Sequence, residues 1–400
     1  MKKKAGLIIL VITTIILPIL SSSQVIHVIE EMEIETRAVW LNDYAFNCEE
    51  VRKETLEKIL KANLNTIFII APPIGSNKGW SNPSDFKAMV DLLTFNNLSV
   101  HAWIANLYRQ IGQTADFCDE SEQIAQLNWA ISLLTEYPTL DGIHFDYIRY
   151  EALDAVNATK IHAITHIIDI TKKAIDELFP GKYLTTAGWP LSGEIRTEED
   201  QLPQWYQEWF SNPLNDEINR WKGSGYHYDG YPTFFGVQQD PVSWIANTSL
   251  DYHISMEYTF DTDWWSGEVE LWNSFPFHVS EQVFMGLGWY SRIWEGPITQ
   301  EMVADAICEK ILIGRSQKIK GFSIFELGEP NNNDTILIEK LSGSPSAPFY
   351  CPAKSIFTND SQLTTTSTFN NTPSESLGFF QFHLVILIII LLIQYKSRIK

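Results

Sequence analysis

Leu140-Asp141-Gly142-Ile143-His144-Phe145-Asp146-Tyr147-Ile148-Arg149-Tyr150 alternates like a buried strand yet carries two carboxylates and an arginine. The apolar alternation gives out at Asp146 and Arg149, which places both at the carboxyl end of the strand. In parallel α/β folds that edge is where chemistry is done. The competing reading is an Asp–Arg pair that only ties down a loop. Asp141, at the start of the run, reads as a structural group that accepts backbone hydrogen bonds.

Outward from this strand, short apolar runs alternate with amphipathic stretches from Arg37 to Leu341, the pattern of repeated βα units around a parallel sheet. The strand-like runs are Arg37–Leu41, Asn65–Ala71, Ser99–Ile104, Gly142–Tyr147, Tyr183–Gly188, Tyr252–Glu257, Gln282–Gly288 and Gly321–Glu326. Between the fourth and fifth, Ile161, Ile164, Ile168, Thr171, Ile175 and Leu178 recur at spacings of three and four, which makes one helical stripe. Eight such units predict an α/β fold, a (β/α)8 TIM barrel over residues 36–342. An open doubly wound sheet would carry a glycine-rich phosphate turn after its first strand, and Asn42-Asp43-Tyr44-Ala45-Phe46 is not one. The long, aromatic-rich connection Leu191–Leu250 after strand five is expected to form a lid or one wall of the cleft.

A barrel gathers the strand ends on one rim: Asn42, Asp43, Pro72, Asn106, Asp146, Arg149, Trp189, Glu257, Tyr258, Trp289, Tyr290, Glu326 and Glu329. Carboxylates and tryptophans dominate this set. No Ser-His-Asp set, Cys-His pair or histidine cluster supports a serine, cysteine or zinc hydrolase, and neither a metal nor a cofactor is expected. Glycosidic bond cleavage needs one carboxylic acid for the leaving oxygen and one carboxylate to attack or to activate water. Asp146 and Glu257 are the expected pair, with Glu326 as the other acid at the rim. The chain has 14 tryptophans, whose flat faces suit sugar rings. Trp103, Trp189, Trp264, Trp265 and Trp289 are expected at the rim, and Trp40 and Trp129 between barrel and helices. Asn106, Arg149, Tyr258 and Glu326 complete the expected substrate contacts. Arg149 either holds Asp146 ionised or clamps the substrate. Asp261 and Asp263 either line the pocket or bind a cation.

Arg37-Ala38-Val39-Trp40, Val100-His101-Ala102-Trp103, Asp141 to Tyr150 and Val283-Phe284-Met285-Gly286-Leu287-Gly288 together resemble the glycosyl hydrolase-like 10 family, glycoside hydrolases with a TIM-barrel fold. The resemblance implies that Asp146 and Arg149 belong to an active site with Tyr258 of Ser255-Met256-Glu257-Tyr258. Family 18 chitinases carry DxxDxDxE on strand four. When Asp141 and Asp146 are aligned to that motif, His144 and Ile148 stand where it has an Asp and the acid Glu, so the substrate-assisted mechanism has no support. Pairing Asp146 with Glu257 resembles the melibiase-like barrels, where the strand-four Asp is the nucleophile.

The chain carries a net charge of −20. Its two ends are basic, so the middle is more acidic still, which argues against nucleic acid and other polyanions as partners. Residues 1–23 match a secretory signal: Lys2 to Lys4, an apolar run, then Ser21 to Ser23. Residues 354–376 read as a Ser/Thr/Asn-rich stalk. Residues 377–395 read as a transmembrane segment or a processed anchor, and 396–400 as a basic cytoplasmic tail. Sequons at Asn97, Asn157, Asn247, Asn333, Asn359 and Asn370 fit an exported protein. Export favours disulfides, with Cys48–Cys118 and Cys308–Cys351 as the expected pairing. The expectation is a surface-anchored glycoside hydrolase with an extracellular catalytic domain, acting on an extracellular or envelope polysaccharide. A non-catalytic carbohydrate-binding receptor or adhesin is the alternative.

Overall fold

Eight parallel strands close into a barrel in a computed structural model, which describes residues 34–73, 80–110, 113–151, 156–190, 203–211, 233–290 and 297–357. The strands are β1 (Thr36–Leu41), β2 (Thr66–Ile70), β3 (Ser99–Ala105), β4 (Gly142–Asp146), β5 (Tyr183–Gly188), β6 (Tyr252–Ser255), β7 (Val283–Gly288) and β8 (Gly321–Phe325). Each pairs with its sequence neighbours, and β8 returns to β1 through Thr36↔Gly321 to Val39↔Ile324. All eight expected strands are present. The ends differ by one or two residues.

The helices are α1 (Glu49–Lys61), α2 (Pro83–Phe95), α3 (Glu120–Glu136), α4 (Ala158–Leu178), α5 (Gln204–Ser211), α6 (Thr233–Gly236), α7 (Pro241–Thr248), α8 (Thr262–Ser274), α9 (Gln300–Ser316) and α10 (Asp334–Ser342). Side-chain caps define several of their starts: Asn82, Asp119, Asn157, Asp240, Asp261 and Thr299 each accept a backbone N–H of the first turn. Asp261 therefore has a local task as the cap of α8. In the connection after β5, α7 is the barrel's fifth outer helix, with fully buried Trp244 donating to Thr165 of α4 at 3.2 Å. Residues 191–202 and 212–232, on which the lid expectation chiefly rests, lie outside the described residues.

The barrel interior is packed with rings in layers. His144 stacks on Phe68 at 4.0 Å between centroids, and it accepts or donates at Thr185 at 2.9 Å. Trp40 donates its indole N–H to His144 at 3.1 Å. Trp40 thus lies inside the barrel rather than between barrel and helices, because β1 residues 38, 40 and 42 share the inward face. Trp129 of α3 is buried outside the barrel as expected. Gly142 of β4 allows close strand approach, since a Cβ there would sit 2.4 Å from the Tyr183 carbonyl oxygen. Asp141 accepts the Val100 N–H at 3.0 Å, as its structural reading required.

The lower end of the barrel is closed by residues that sequence patterning had assigned to a stalk. Lys354 bridges Ile34, Ser355 is buried against Thr66, and Phe357 lies among His101, Tyr183, Tyr252 and Phe284 at centroid distances of 4.5, 4.9, 5.4 and 6.1 Å. The folded unit therefore runs to Phe357, and one apolar ring in a polar segment accounts for the difference. Residues 1–23 and 358–400 lie outside the described residues. No described helix is long and apolar enough to cross a membrane.

All four cysteines are free, which corrects the disulfide expectation. The Cys118 thiol faces the Tyr150 hydroxyl at 3.5 Å, and the Cys308 thiol faces the Lys340 carbonyl at 3.5 Å.

Candidate active site

Asp146 ends β4 at the carboxyl mouth of the barrel and is only 2 % exposed. Its Oδ2 accepts the indole N–H of Trp103 at 3.1 Å, and its Oδ1 accepts the Tyr147 N–H at 2.6 Å. Tyr147 adopts φ 52°, a left-handed conformation that is costly for an aromatic residue and typical of functional turns. Burial pushes the Asp146 pKa up to about 6, against the opposing pull of the Tyr147 N–H, the Arg149 charge and the Trp103 N–H. Near pH 6 this carboxyl is poised between its two forms.

Arg149 is half-buried, its guanidinium 4.9 Å from the Tyr147 ring and 5.1 Å from the Trp189 ring. Its Nη1 donates to the Tyr150 carbonyl at 3.3 Å. Among the described residues it makes no ion pair with Asp146, so its influence there acts through space. Trp189 is tied through its backbone N–H, which the Gln239 side-chain oxygen accepts at 2.9 Å. Gln239 also donates to the Ile148 carbonyl at 3.2 Å and so ties the ends of β4 and β5 together.

Tyr258 faces the mouth from the end of β6. Its ring stacks on Phe325 at 5.6 Å and meets Tyr290 edge-on at 5.8 Å. The hydroxyl is buried and has no hydrogen-bond partner. Burial first, and the Asp146 charge second, hold its pKa well above the usual phenol range, so it stays a donor. Gly286 of β7 makes room for this ring, since a Cβ there would sit 2.9 Å from Tyr258 Cε1 and 2.7 Å from the Ser255 carbonyl oxygen.

Glu326, 7 % exposed, accepts from the Asn42 amide, and burial raises its pKa against the bonds from Tyr44 and Asn42. It also acts electrostatically on Tyr258, from the end of β8 at the same carboxyl end of the barrel as Asp146.

Glu257 lies elsewhere. Ser255 points outward to Glu268 of α8 at 2.6 Å, and residue 257 shares that outward face of β6. The Glu257 carboxylate accepts the Thr259 N–H at 3.1 Å and acts on buried Lys310 of α9. Trp289 also turns outward, fully buried, and donates to Asp334 at 3.1 Å. Trp265 is buried too, with its N–H on the Gly286 carbonyl at 3.3 Å. Asn106 supports the rim from behind: its side chain meets Gln126 of α3 at 2.8 Å, and its backbone N–H donates to the Asp146 carbonyl at 2.8 Å.

The mouth therefore brings together Asp146, Arg149, Tyr258, Trp103, Trp189 and Glu326 from the expected set, and not Glu257, Trp289 or Asn106. Two residues outside that set complete it. Phe325 stands between Trp40, Trp103 and Tyr258, and Tyr44 flanks Glu326. Strand parity in β8 carries the signal for Phe325, since it shares a face with Gly321 and Ser323.

No protein-family model matches the chain and no curated protein does, so the resemblance to the glycosyl hydrolase-like 10 family rests on its motifs alone. Solved structures do match. The spore cortex-lytic enzyme SleL of Bacillus megaterium QM B1551 aligns with a TM-score of 0.52 at 10 % identity, over 82 % of this chain and 76 % of that one. A chitinase from Chromobacterium violaceum ATCC 12472 aligns with a TM-score of 0.49 at 12 % identity, over 76 % of this chain and 98 % of that one. The first of these shows that the barrel fold is shared.

Proposed function

We propose that this chain is a glycoside hydrolase whose reaction centres on Asp146. The observation that carries this reading is a buried carboxyl with a raised pKa at the strand-four mouth, held by the Trp103 indole and lying near an unpartnered tyrosine hydroxyl. A glycosidase needs a carboxylate to meet positive charge at the anomeric carbon, and Asp146 in its ionised form supplies it. The Tyr258 hydroxyl donates to a substrate oxygen beside it. Glu326, whose pKa burial raises, is the candidate acid for the leaving oxygen, in preference to Glu257, which faces the helix layer. The aromatic walls suit sugar rings.

The substrate is proposed to be an extracellular or envelope polysaccharide, and the shared fold with a spore cortex-lytic enzyme is in keeping with it. Surface anchoring through residues 377–395 belongs to the same proposal. Phe357, the last described residue, lies at the end of the barrel opposite Asp146.

A second reading, a carbohydrate-binding protein without turnover, is favoured by one observation. Ile148, at the position of the family 18 acid, is fully buried and cannot protonate anything. A panel of wall and matrix polysaccharides separates the two. New reducing ends support the hydrolase; saturable binding without product supports the receptor.

A further inference from the structure

The turn that ends β6 is gripped from behind. Glu257 and Thr259 face α9, and Tyr258 between them faces the mouth. Glu257 accepts the Thr259 N–H at 3.1 Å, and the Lys310 ammonium donates to the Thr259 carbonyl. Lys310 is 2 % exposed and Glu257 is 4 % exposed, so this is a lysine and a carboxylate buried together behind the site. The charged groups acting on Lys310 are Glu257 on the turn, Asp261 at the cap of α8 and Glu309 on its own helix.

Burying a lysine is costly unless its protons are used. Here they are used on the backbone one residue beyond Tyr258. The Tyr258 hydroxyl has no partner of its own, so the aim of its ring depends on packing against Phe325 and on the backbone of this turn. We propose that Lys310 is a positioning residue which, through Thr259 and Glu257, holds Tyr258 in place beside Asp146. The proposal rests on the glycan-site reading of the mouth for its functional consequence, and on geometry alone for the coupling itself. It gives Glu257 a role that the rim pattern misassigned, as the counter-charge of this clamp.

Burial lowers the Lys310 pKa to about 8, with Glu257 first among the groups that resist the fall. Above that pH the ammonium becomes a neutral amine. Glu257 then loses its buried counter-charge, and the grip on the turn weakens.

The test uses the full chain with 4-fluorophenylalanine at position 325 alone, a non-titrating ring stacked on Tyr258. Its fluorine resonance is followed from pH 6 to 10. The wild-type signal is expected to shift with a midpoint near 8. Lys310→Met is expected to show the high-pH signal already at pH 7, and Lys310→Arg to keep the low-pH signal across the range, because a guanidinium keeps its charge. A wild-type signal that does not shift between pH 7 and 10 overturns the proposal, and that titration needs no variant to fold. So does Lys310→Met with the wild-type curve. On a polysaccharide that the protein cleaves, the alkaline limb of kcat/KM should fall near pH 8 and move up by at least one unit in Lys310→Arg. Absence of cleavage of every polysaccharide overturns the hydrolase reading, while the fluorine titration still decides the clamp.

Discussion

The Trp103 indole donates its N–H to the Asp146 carboxylate at 3.1 Å, tying the end of β3 to the group on which the proposed chemistry depends. That bond favours the ionised carboxyl and opposes the upward push of burial. Trp103→Phe keeps a ring against Phe325 and removes the donor. The Asp146 pKa should then rise, and the acidic limb of kcat/KM should move to higher pH. A limb that stays where it was would show that Asp146 does not govern it.

The two remaining carboxylates are distinguished by leaving group. Glu326→Gln should cut turnover of natural polysaccharide by about 10²–10⁴-fold, the range for loss of a general acid, and less for an aryl glycoside whose leaving group needs no proton. Glu257→Gln should lower turnover of both substrates by the same smaller factor, because it acts through the position of Tyr258. The reverse pattern would return the acid role to Glu257.

Asp146 should also cost stability where it works. Its pKa is raised from 3.8 in the unfolded chain to about 6, so its contribution is fully present below pH 3.8 and is lost as pH rises through 6. Relative to the wild type, Asp146→Asn should therefore gain stability between pH 4 and pH 7, by roughly 2–3 kcal/mol. Urea unfolding at the two pH values measures it. Equal differences at both would mean that the carboxyl is not held in the state described.

Phe357 fills the lower end of the barrel beneath four rings. Phe357→Ala should destabilise the barrel by about 3–5 kcal/mol, the range for removing a large buried ring. Cleavage or binding at permissive temperature should persist, since the mouth lies at the other end. A loss below about 1 kcal/mol in urea unfolding would show that the plug is not part of the cooperative unit.

The barrel was legible because eight runs of β-branched and aromatic residues alternate with helical stripes, and register follows once each strand has one packed face. Asp146 and Arg149 stood out because a charge at a strand's end breaks its alternation, whereas Tyr258 was drawn in by the family resemblance. Which way a residue just past the strand turns was not. Glu257 and Trp289 each follow a strand by one or two residues, and parity places both outward, against Lys310 and Asp334. Trp40 was misplaced for the opposite reason: composition says that a tryptophan is buried, and only parity along β1 says on which side. Phe357 was hidden by its polar neighbours, since one ring in a Ser/Thr/Asn-rich segment makes no pattern.

The most direct test of the account is turnover by Asp146→Asn. The amide has nearly the shape of the carboxylate, but it offers one oxygen where Trp103 and Tyr147 each donate an N–H, so thermal melting is followed alongside. On a polysaccharide that the parent cleaves, release of reducing ends should fall at least ~10³-fold, about 4 kcal/mol of transition-state stabilisation, while the folded variant still binds that polysaccharide. Undiminished turnover by a folded Asp146→Asn would contradict the assignment of the chemistry to Asp146.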